Sequence, residues 1–337
     1  RADKMVLSLS YCFILQLVCI AGEILRVRST TSDDDRGVFI LSLVSSNAST
    51  VNSDDNMTQF SLSDTSDVYE KRAFNNSNTT LWGTSDKTTG RYFLVRVTGQ
   101  VSVFNSTTLE ALPELSWSPL VDYADEPPAA CHFETATNLL WFSWTKVMPD
   151  ASILENKFCS LDASSSIGTH RCFPFGHGQD DYLYVVDASA YDEVNGLMWQ
   201  QAYNNAGYLL FAFDTSTKRI VKEVPVKGIC QGMQIAYVNG EYQLLCVLYG
   251  DLVQIFTTYG TVKRLVSRLP PLSTYLLHSS TVSSDRNRST SLYFAQVQDT
   301  TGNSWLQIDV ASGALLTTSR STADPASLIS MPVVVGV

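Results

Sequence analysis

Charged residues and histidines are scarce in this sequence. Charged side chains make up 17% of the 337 residues and hydrophobic ones 45%, a balance that excludes an intrinsically disordered chain. Lysine and arginine number 23 against 33 aspartates and glutamates, and the formal net charge of −10 argues against a protein that grips nucleic acid phosphates. Because there are only 4 histidines, a histidine-rich metal centre is not expected.

Short motifs that mark common enzyme classes are also missing. The sequence has no P-loop, no HExxH zinc motif, no nucleophile elbow and no glycine-rich dinucleotide fingerprint. It contains no CxxC pair, so a zinc ribbon is unsupported. A Ser-His-Asp set stays open, because no spacing selects one serine among so many. These absences favour a protein that is not an enzyme.

An apolar run close to the amino terminus predicts a secretory signal. Residues 5–21 are apolar, positive residues precede them, and Cys19 and Ala21 are small residues suited to cleavage after Ala21. The run is shorter than the ~20 residues that span a bilayer, so an uncleaved anchor is the alternative. We expect residues 1–21 to be a signal peptide, with extra residues before Met5, and no membrane span after its cleavage.

Asn-x-Ser/Thr tripeptides support the same compartment. Six of them have no proline in the middle, and five of the six fall within residues 47–107. The alternative is that a stretch rich in Ser, Thr and Asn generates them by chance. The candidate glycosylation sites are Asn47, Asn56, Asn75, Asn78, Asn105 and Asn287. We therefore predict a secreted, extracellular glycoprotein that carries N-linked glycans.

Cysteine spacing predicts two disulfides after the signal has been removed. Cys159 and Cys172 flank a short turn at equal distances, which places them opposite each other in a hairpin. Cys230 and Cys246 lie on strands around an Asn-Gly turn but miss direct opposition by about three residues. We predict both pairs, with Cys131 as the odd thiol. The alternative is that these cysteines are free and buried as small hydrophobic residues.

Short β-branched and aromatic runs recur about every fifty residues, and almost no segment shows a helical period. Their starts lie 45 to 58 residues apart, and a second and a third strand follow each one. The runs are GVFILSLV (37–44), RYFLVRV (91–97), NLLWFSW (138–144), GLMWQQAY (196–203), EYQLLCVLY (241–249) and TSLYFAQV (290–297). The pattern predicts an all-β protein built from many short strands.

A polar turn follows the second strand of each repeat. Five of these turns have Asp or Asn at an equivalent place, because a short side chain of this type caps its own turn. The residues at this place are Asp64, Asn105, Asp162, Asp214 and Asp309, and Thr257 fills it in the remaining repeat.

Repeats of ~40–50 residues with about four strands each are typical of a β-propeller. We predict a single β-propeller domain over residues 22–337, with about six four-stranded blades, six or seven. Radial packing would bury each sheet face against a neighbour, and the β-forming tail 327–337 would close the ring. The competing architecture is a pair of β-sandwiches, which would not favour a recurring turn at nearly constant spacing.

The turn sequence carries a resemblance. The pattern apolar-x-apolar-Asp-x-x-Ser/Thr-Gly, seen in Leu306–Gly313 and in shorter form in Phe211–Thr217, resembles the broad quinoprotein and YVTN-type propeller repeats. The likeness covers most of the chain but is degenerate, so it implies a fold and no activity. Trp-Asp, kelch and Asp-box signatures are absent from the sequence.

Acidic residues and one histidine fall between the middle repeats, where the chain passes from one blade to the next. Such links emerge on one face of a propeller, so their side chains would converge there. They are Asp122, Asp125, Glu126, His177, Asp180 and Asp181. Repeats 3 to 5 contain no Asn-x-Ser/Thr tripeptide, so bulky glycans would leave this sector bare. We predict a binding face here, and carboxylate oxygens would also suit Ca²⁺, although no cofactor is required.

The function that these features favour is an extracellular binding, interaction or structural module. Its partner would be an extracellular protein or a glycan. The alternative is a secreted, calcium-dependent, lactonase-like hydrolase with Asp187, in the expected innermost strand 184–191, as the carboxylate of the central channel. A third hypothesis is self-assembly through edge strands such as the carboxy-terminal tail.

Overall fold

The structure is a computed structural model, and it describes a defined set of residues. These are residues 39–44, 55–61, 68–74, 80–86, 88–96, 101–115, 130–147, 153–164, 170–175, 184–204, 206–238, 241–249, 251–256, 261–266, 276–284, 291–299, 302–320 and 329–335. Over these ranges the chain forms strands and turns, with no helix long and apolar enough to cross a membrane.

Within the described ranges, the strands pair into six antiparallel sheets of four strands, numbered here in chain order. Sheet 1 contains β24 (Ile329–Val335), β1 (Phe39–Val44), β2 (Asp55–Ser61) and β3 (Val68–Phe74). Sheet 2 contains β4 (Thr80–Asp86), β5 (Arg91–Arg96), β6 (Val101–Asn105) and β7 (Ala111–Leu115). Sheet 3 contains β8 (Ala130–Glu134), β9 (Leu139–Val147), β10 (Ile153–Asp162) and β11 (His170–Phe175).

The other three sheets follow the same order from first to fourth strand. Sheet 4 contains β12 (Tyr184–Asp192), β13 (Leu197–Asn204), β14 (Gly207–Asp214) and β15 (Arg219–Val226). Sheet 5 contains β16 (Cys230–Val238), β17 (Glu241–Leu248), β18 (Asp251–Phe256) and β19 (Thr261–Val266). Sheet 6 contains β20 (Leu276–Ser284), β21 (Ser291–Asp299), β22 (Gly302–Asp309) and β23 (Leu315–Arg320).

The first strands of the sheets form a closed ring at the centre of the molecule. β24 contacts β4, and contacts continue from β4 to β8, β12, β16 and β20 before returning to β24. The strand from the carboxyl end is therefore the innermost strand of sheet 1, where it pairs antiparallel with β1. An all-β propeller is confirmed.

Residue patterns explain which strands lie inside a sheet. β14 reads GYLLFAFD and has five consecutive buried residues, because both faces of its sheet are covered by neighbouring sheets. β15 reads RIVKEVPV, and its burial alternates because it is the outermost strand and one of its faces meets water. The six apolar runs that mark the repeat correspond to the second strands, one position out from the ring.

The core consists of layers between adjacent sheets. Phe93, Phe133 and Phe142 belong to the layer between sheets 2 and 3, and Phe158 and Phe211 to the layer between sheets 3 and 4. Trp141, Trp144 and Trp199 are buried in these layers and in the one between sheets 4 and 5. These three tryptophans pack between sheets, as the radial arrangement of a propeller requires.

Both predicted disulfides are present. Cys159 and Cys172 are directly paired across β10 and β11, with Cα atoms 4.0 Å apart. Cys230 and Cys246 join β16 to β17 with Cα atoms 5.4 Å apart. Cys131 is a buried free thiol, in agreement with its prediction as the odd cysteine.

Candidate functional site

Turns between the third and fourth strands share one geometry. Asp214 Oδ1 accepts hydrogen bonds from the N–H groups of Ser216 (2.8 Å) and Thr217 (3.2 Å). Among the other described members of the predicted series, Asn105 Oδ1 accepts both equivalent bonds, Asp162 Oδ1 accepts from the N–H of Ser164, and Asp309 Oδ1 accepts from the N–H of Ser312. The prediction that these residues occupy equivalent places is confirmed for these four turns.

Turns between the first and second strands contain a second acidic cap, which sequence reasoning missed. Asp86 Oδ1 accepts from the N–H groups of Thr88 and Thr89, and Asp192 Oδ1 accepts from those of Val194 and Asn195. A residue with positive φ follows four positions after each acid, namely Gly90 (65°) and Gly196 (65°). Glu134 precedes Asn138 (φ 56°) by the same interval. The signal was therefore an acid followed four residues later by Gly or Asn.

In sheets 2, 3 and 4 these two kinds of turn lie at the same end of the sheet, which we call the turn face. The N–H of Ser106 donates to Gly90 O (2.7 Å), and the N–H of Thr215 donates to Gly196 O (2.9 Å). Equivalent bonds link Ala163 to Asn138 in sheet 3 and Val310 to Ser291 in sheet 6. The opposite end, with the links between sheets and the turns between second and third strands, is called the linker face.

Arg91 connects sheet 2 to sheet 3 at the turn face. Its Nη2 donates to Asp86 Oδ2 (2.9 Å) and to Asn138 Oδ1 (2.5 Å), and its Nη1 donates to Ala163 O (2.9 Å). Burial by itself would raise the pKa of Asp86, but hydrogen bonds from Thr89, Arg91 and the Thr88 backbone outweigh it and lower that pKa. The ion pair within sheet 2 therefore stays charged, and the bonds of Arg91 to Asn138 and Ala163 join it to sheet 3.

An open depression of 560 Å³ lies beside this ion pair. Its lining residues are Asp86, Thr88, Thr89, Arg91, Leu112, Thr135 and Asn138. Because the charged groups in its wall are bonded to each other, they are not available to bind a ligand. The depression is part of the junction between sheets 2 and 3.

Glu134 links sheets 3 and 4, as Arg91 links sheets 2 and 3. Its Oε2 accepts from Trp141 Nε1 (2.9 Å) and from the hydroxyl of Thr137. Its Oε1 accepts from Tyr191 OH (2.9 Å) and from Thr215 Oγ1 (2.6 Å), both of sheet 4. Burial would raise the pKa of Glu134, but these four hydrogen bonds lower it. Glu134 is therefore ionised at neutral pH and is unsuited to donating a proton in catalysis.

A lysine lies next to this carboxylate. Lys218 Nζ donates to the Thr215 carbonyl oxygen and lies 4.3 Å from the centre of the Trp141 ring. Burial lowers the pKa of Lys218, while the negative charges of Glu134 and Asp214 act to raise it. The charged Lys218 side chain therefore packs over the Trp141 indole ring and strengthens the junction between sheets 3 and 4.

His132 and Ser189 form the arrangement closest to a catalytic pair. His132 Nε2 and Ser189 Oγ are 2.9 Å apart and lie on the innermost strands β8 and β12. Burial lowers the pKa of His132 to about 4, so the imidazole is a weak base near pH 7. The pair therefore fits a structural hydrogen bond between sheets better than an activated nucleophile. Sequence spacing gave no signal for it.

On the linker face, Tyr249 is fixed against the link between sheets 4 and 5. Its hydroxyl donates to Lys227 O, and its side chain is 79% exposed. Gln201 also bonds to the backbone of this link: its Nε2 donates to Gly228 O (2.7 Å), and its Oε1 accepts from Cys230 N (2.9 Å). The Cys230–Cys246 disulfide fixes the end of the link.

Two further side chains are exposed at the linker ends of sheets 4 and 5. Ile229, in the link, is 44% exposed, and Tyr203 is 37% exposed. Tyr203 lies two residues after Gln201 on β13, and its ring centre is 5.1 Å from that of Tyr208. The linker face thus presents an aromatic and aliphatic surface at the junction of sheets 4 and 5.

Most of the predicted site residues lie outside the described set. This applies to Asp122, Asp125, Glu126, His177, Asp180 and Asp181, and to Asn47, Asn75, Asn78 and Asn287. The binding face and the calcium site that they suggest therefore stay predictions, and among the described residues no group of three His, Cys, Asp or Glu is placed to hold a metal ion. The predicted signal peptide, residues 1–21, also lies outside them.

Three predicted positions are described at least in part. Asp187 belongs to β12, an innermost strand, at an irregularity in its pairing with β13. Asn56 lies in β2. Asn105 Oδ1 accepts two backbone hydrogen bonds of 2.8 Å, so this amide caps its turn.

Comparison with known proteins supports the fold alone. No protein-family model matches the chain, and no curated protein matches it. Among solved structures, the chain is similar to the β-propeller domain of Cps50 (Swd1) from Myceliophteria thermophila, with a TM-score of 0.51 and 10% identity. The match covers 89% of this chain and 88% of that one. The resemblance to quinoprotein and YVTN-type repeats gains no support from any family model.

Proposed function

We propose that this chain is a secreted, glycosylated, six-bladed β-propeller with quinoprotein-like repeats that serves as an extracellular binding module. One contrast carries the proposal. The charged groups of the turn face described above are already hydrogen-bonded, Arg91 to Asp86 and to Asn138 of sheet 3, and Glu134 to Thr215 of sheet 4. On the linker face, by contrast, Ile229 and Tyr249 are exposed on or against a link whose backbone is fixed by hydrogen bonds and a disulfide. Exposed apolar side chains on a fixed backbone favour recognition of a partner.

The disulfides support the extracellular part of the proposal. Two cross-strand disulfides persist in oxidising compartments and are rare in reducing ones. The predicted recognition sector, with Asp125, His177 and Asp181, belongs to segments between repeats, and we expect it at this same end because links between blades emerge on one face of a propeller.

Secretion and glycosylation are tested on protein expressed with residues 1–21 in a eukaryotic cell line. We expect export to the medium, removal of the signal, and a loss of mass when N-glycans are removed enzymatically. Protein that stays in the cell without glycans would contradict the proposed compartment.

Binding is tested with fluorescent, multimerised protein on cell surfaces, measured by flow cytometry. Lys227→Asn combined with Ile229→Thr creates a glycosylation sequence at the linker face, and its glycan should abolish cell binding. Leu316→Asn creates one on the outermost strand of sheet 6, where residue 316 is 49% exposed, and should leave binding unchanged. If the wild type does not bind, or if both variants bind equally, the proposed function is wrong.

A further inference from the structure

Tyr249 is held in a backbone conformation that its residue type disfavours. Leu248 pairs with Asp251, so Tyr249 and Gly250 alone connect β17 to β18. Tyr249 has φ 51°, in the left-handed region where Asn, Asp and Gly are usual in two-residue hairpin loops. Non-glycine residues in this region cluster at functional sites, where the surrounding structure holds them in place.

The ring of Tyr249 lies with one face over Gly228. A Cβ atom added at Gly228 would be 2.5 Å from the hydroxyl oxygen, 2.6 Å from Cζ and 3.1 Å from Cε2 of Tyr249. These three distances together are met above the plane of the ring and not within it. The absence of a side chain at this glycine therefore lets the hydroxyl end of the ring lie over the backbone, while Tyr249 stays 79% exposed.

Neighbouring contacts keep this ring in place. The hydroxyl is committed as a donor to Lys227 O, and Gln201 binds the backbone on both sides of Ile229. A ligand would therefore meet a fixed aromatic face without having to order it first, which reduces the entropic cost of binding. Lys227, whose carbonyl oxygen accepts this hydrogen bond, is itself exposed.

We propose that the exposed face of Tyr249 is a stacking platform for one sugar ring of an extracellular glycan. The C–H face of a pyranose packs against an aromatic π face, whose negative potential attracts the slightly positive hydrogens. The Lys227 ammonium would donate to a glycan hydroxyl, carboxylate or sulfate. This inference rests on the proposed function and specifies the class of partner.

Among the described residues, the exposed surface at this junction suits a sugar ring better than a protein partner. The exposed apolar residues described at this junction are Tyr203, Ile229 and Tyr249. A stable protein interface covers ≈ 800 Å² per partner with 20–30 residues on each side, roughly. A sugar ring needs only one aromatic face and a few polar contacts.

The experiment applies the purified, secreted protein to an array of defined neutral, sialylated and sulfated oligosaccharides, followed by calorimetric titration with the best-bound one. Tyr249→Asn removes the ring and inserts a residue that accepts positive φ, so we expect the wild-type urea midpoint and affinity at least about tenfold weaker. Gly228→Ala keeps the tyrosine but displaces its ring, and should weaken binding by a similar factor.

Two controls accompany these variants. Tyr249→Phe keeps the aromatic face and loses only the hydrogen bond to Lys227 O, so its affinity should fall less than that of Tyr249→Asn. Val194→Ala changes a residue that is 49% exposed on the turn face and should bind as the wild type does.

A wild-type protein that binds no oligosaccharide on the array overturns the glycan site, and the binding module still stands if cell binding persists after the cells are treated with glycosidases. Glycan binding that Tyr249→Asn and Gly228→Ala leave unchanged also overturns the platform. A large loss of stability in Tyr249→Asn with unchanged affinity would show that the ring only fastens the link.

Discussion

The carboxylate of Glu134 accepts hydrogen bonds from four side chains that belong to two sheets. Two of the donors, Tyr191 and Thr215, lie in sheet 4, so the carboxylate joins that sheet to sheet 3. The indole N–H of Trp141 can only donate a hydrogen bond, so it needs an acceptor at this buried position. A charged acceptor with two oxygens therefore suits this position better than any neutral side chain.

Replacing this carboxylate should lower stability. Glu134→Gln retains one acceptor oxygen for Trp141 but turns an amino group toward Tyr191 and Thr215, and we expect a loss of about 2 kcal/mol in the free energy of unfolding. Glu134→Ala should cost about 3 kcal/mol or more, because buried donors are left without acceptors. Urea denaturation measures both. Glu110→Gln, on an exposed glutamate, is the control, and a Glu134→Gln variant as stable as this control would contradict the role.

His132 should make stability depend on pH. Its folded pKa of about 4 lies below the ordinary 6.5, because burial favours the neutral imidazole. The folded state therefore binds fewer protons than the unfolded state, so this contribution is complete above pH 6.5 and is lost as the pH falls toward 4.

Urea denaturation between pH 7.5 and 4.5, a window chosen around about 6.5, measures this slope. His132→Gln keeps a group that can bond Ser189 and cannot titrate, so its stability should fall less over this window. The carboxylates of Glu134 and Asp86 have lowered pKa values and contribute mainly at more acidic pH. Equal slopes for the wild type and His132→Gln would contradict the assignment.

At the scale of single elements, the turns repeat while the strands vary. Asn105 and Asp214 make the same two backbone hydrogen bonds at the start of their turns. Four positions later, Leu109 and Lys218 both have positive φ and donate their N–H groups back to these residues. A turn of this kind is stabilised by contacts within five residues, so it can be predicted from a single sequence.

The turn of sheet 4 provides a matched test. Asp214→Asn should change the free energy of unfolding by less than about 0.5 kcal/mol, because an asparagine already caps the equivalent turn at Asn105. Asp214→Ala removes the acceptor and should cost about 1 kcal/mol. Thermal and urea denaturation of both variants are compared with the wild type. An alanine variant as stable as the asparagine variant would show that the cap contributes nothing.

Sheet 5 shows how one irregularity changes a contact that spacing alone leaves undecided. In a regular hairpin around the Asn-Gly turn, Cys246 would miss Cys230 by three positions, an odd offset that turns the side chains to opposite faces. The pairing shifts by one residue between Gln231 and Gln234, where Gly232 has φ 55°. The offset becomes two, so both sulfurs reach the same face as diagonal neighbours.

At the scale of the whole molecule, the two ends of the described chain meet in sheet 1. β24 pairs with β1 and contacts β20 and β4 on either side, so it is both a strand of its sheet and a member of the central ring. Without it, β1 would be left with an unpaired edge toward the channel.

Removal of residues 327–337 should therefore open the ring. We expect a lower melting temperature, a broader transition and association of the exposed edges, measured by calorimetry and by light scattering. Removal of residues 336–337, which follow β24, is the control. An unchanged melting curve and an unchanged mass after the longer deletion would contradict closure by this strand, and they would also argue against self-assembly through the tail.

The sequence by itself determined the strands, the capped turns and the Cys159–Cys172 pair. Each depends on residues close together in the chain: alternation and apolar runs select strands, Asx residues select turns, and equal arms place two cysteines opposite each other. The acidic caps Asp86 and Asp192 were missed, although their signal is equally local.

The tertiary structure decided the contacts between sheets. Arg91 reaches Asn138, Glu134 reaches Thr215, and the ring of Tyr249 settles on Gly228. These partners are separated by 47, 81 and 21 positions, and nothing in the local pattern of either partner specifies the other. They meet only because the closed ring fixes the distance and angle between neighbouring sheets, and the candidate binding surface is a product of that closure.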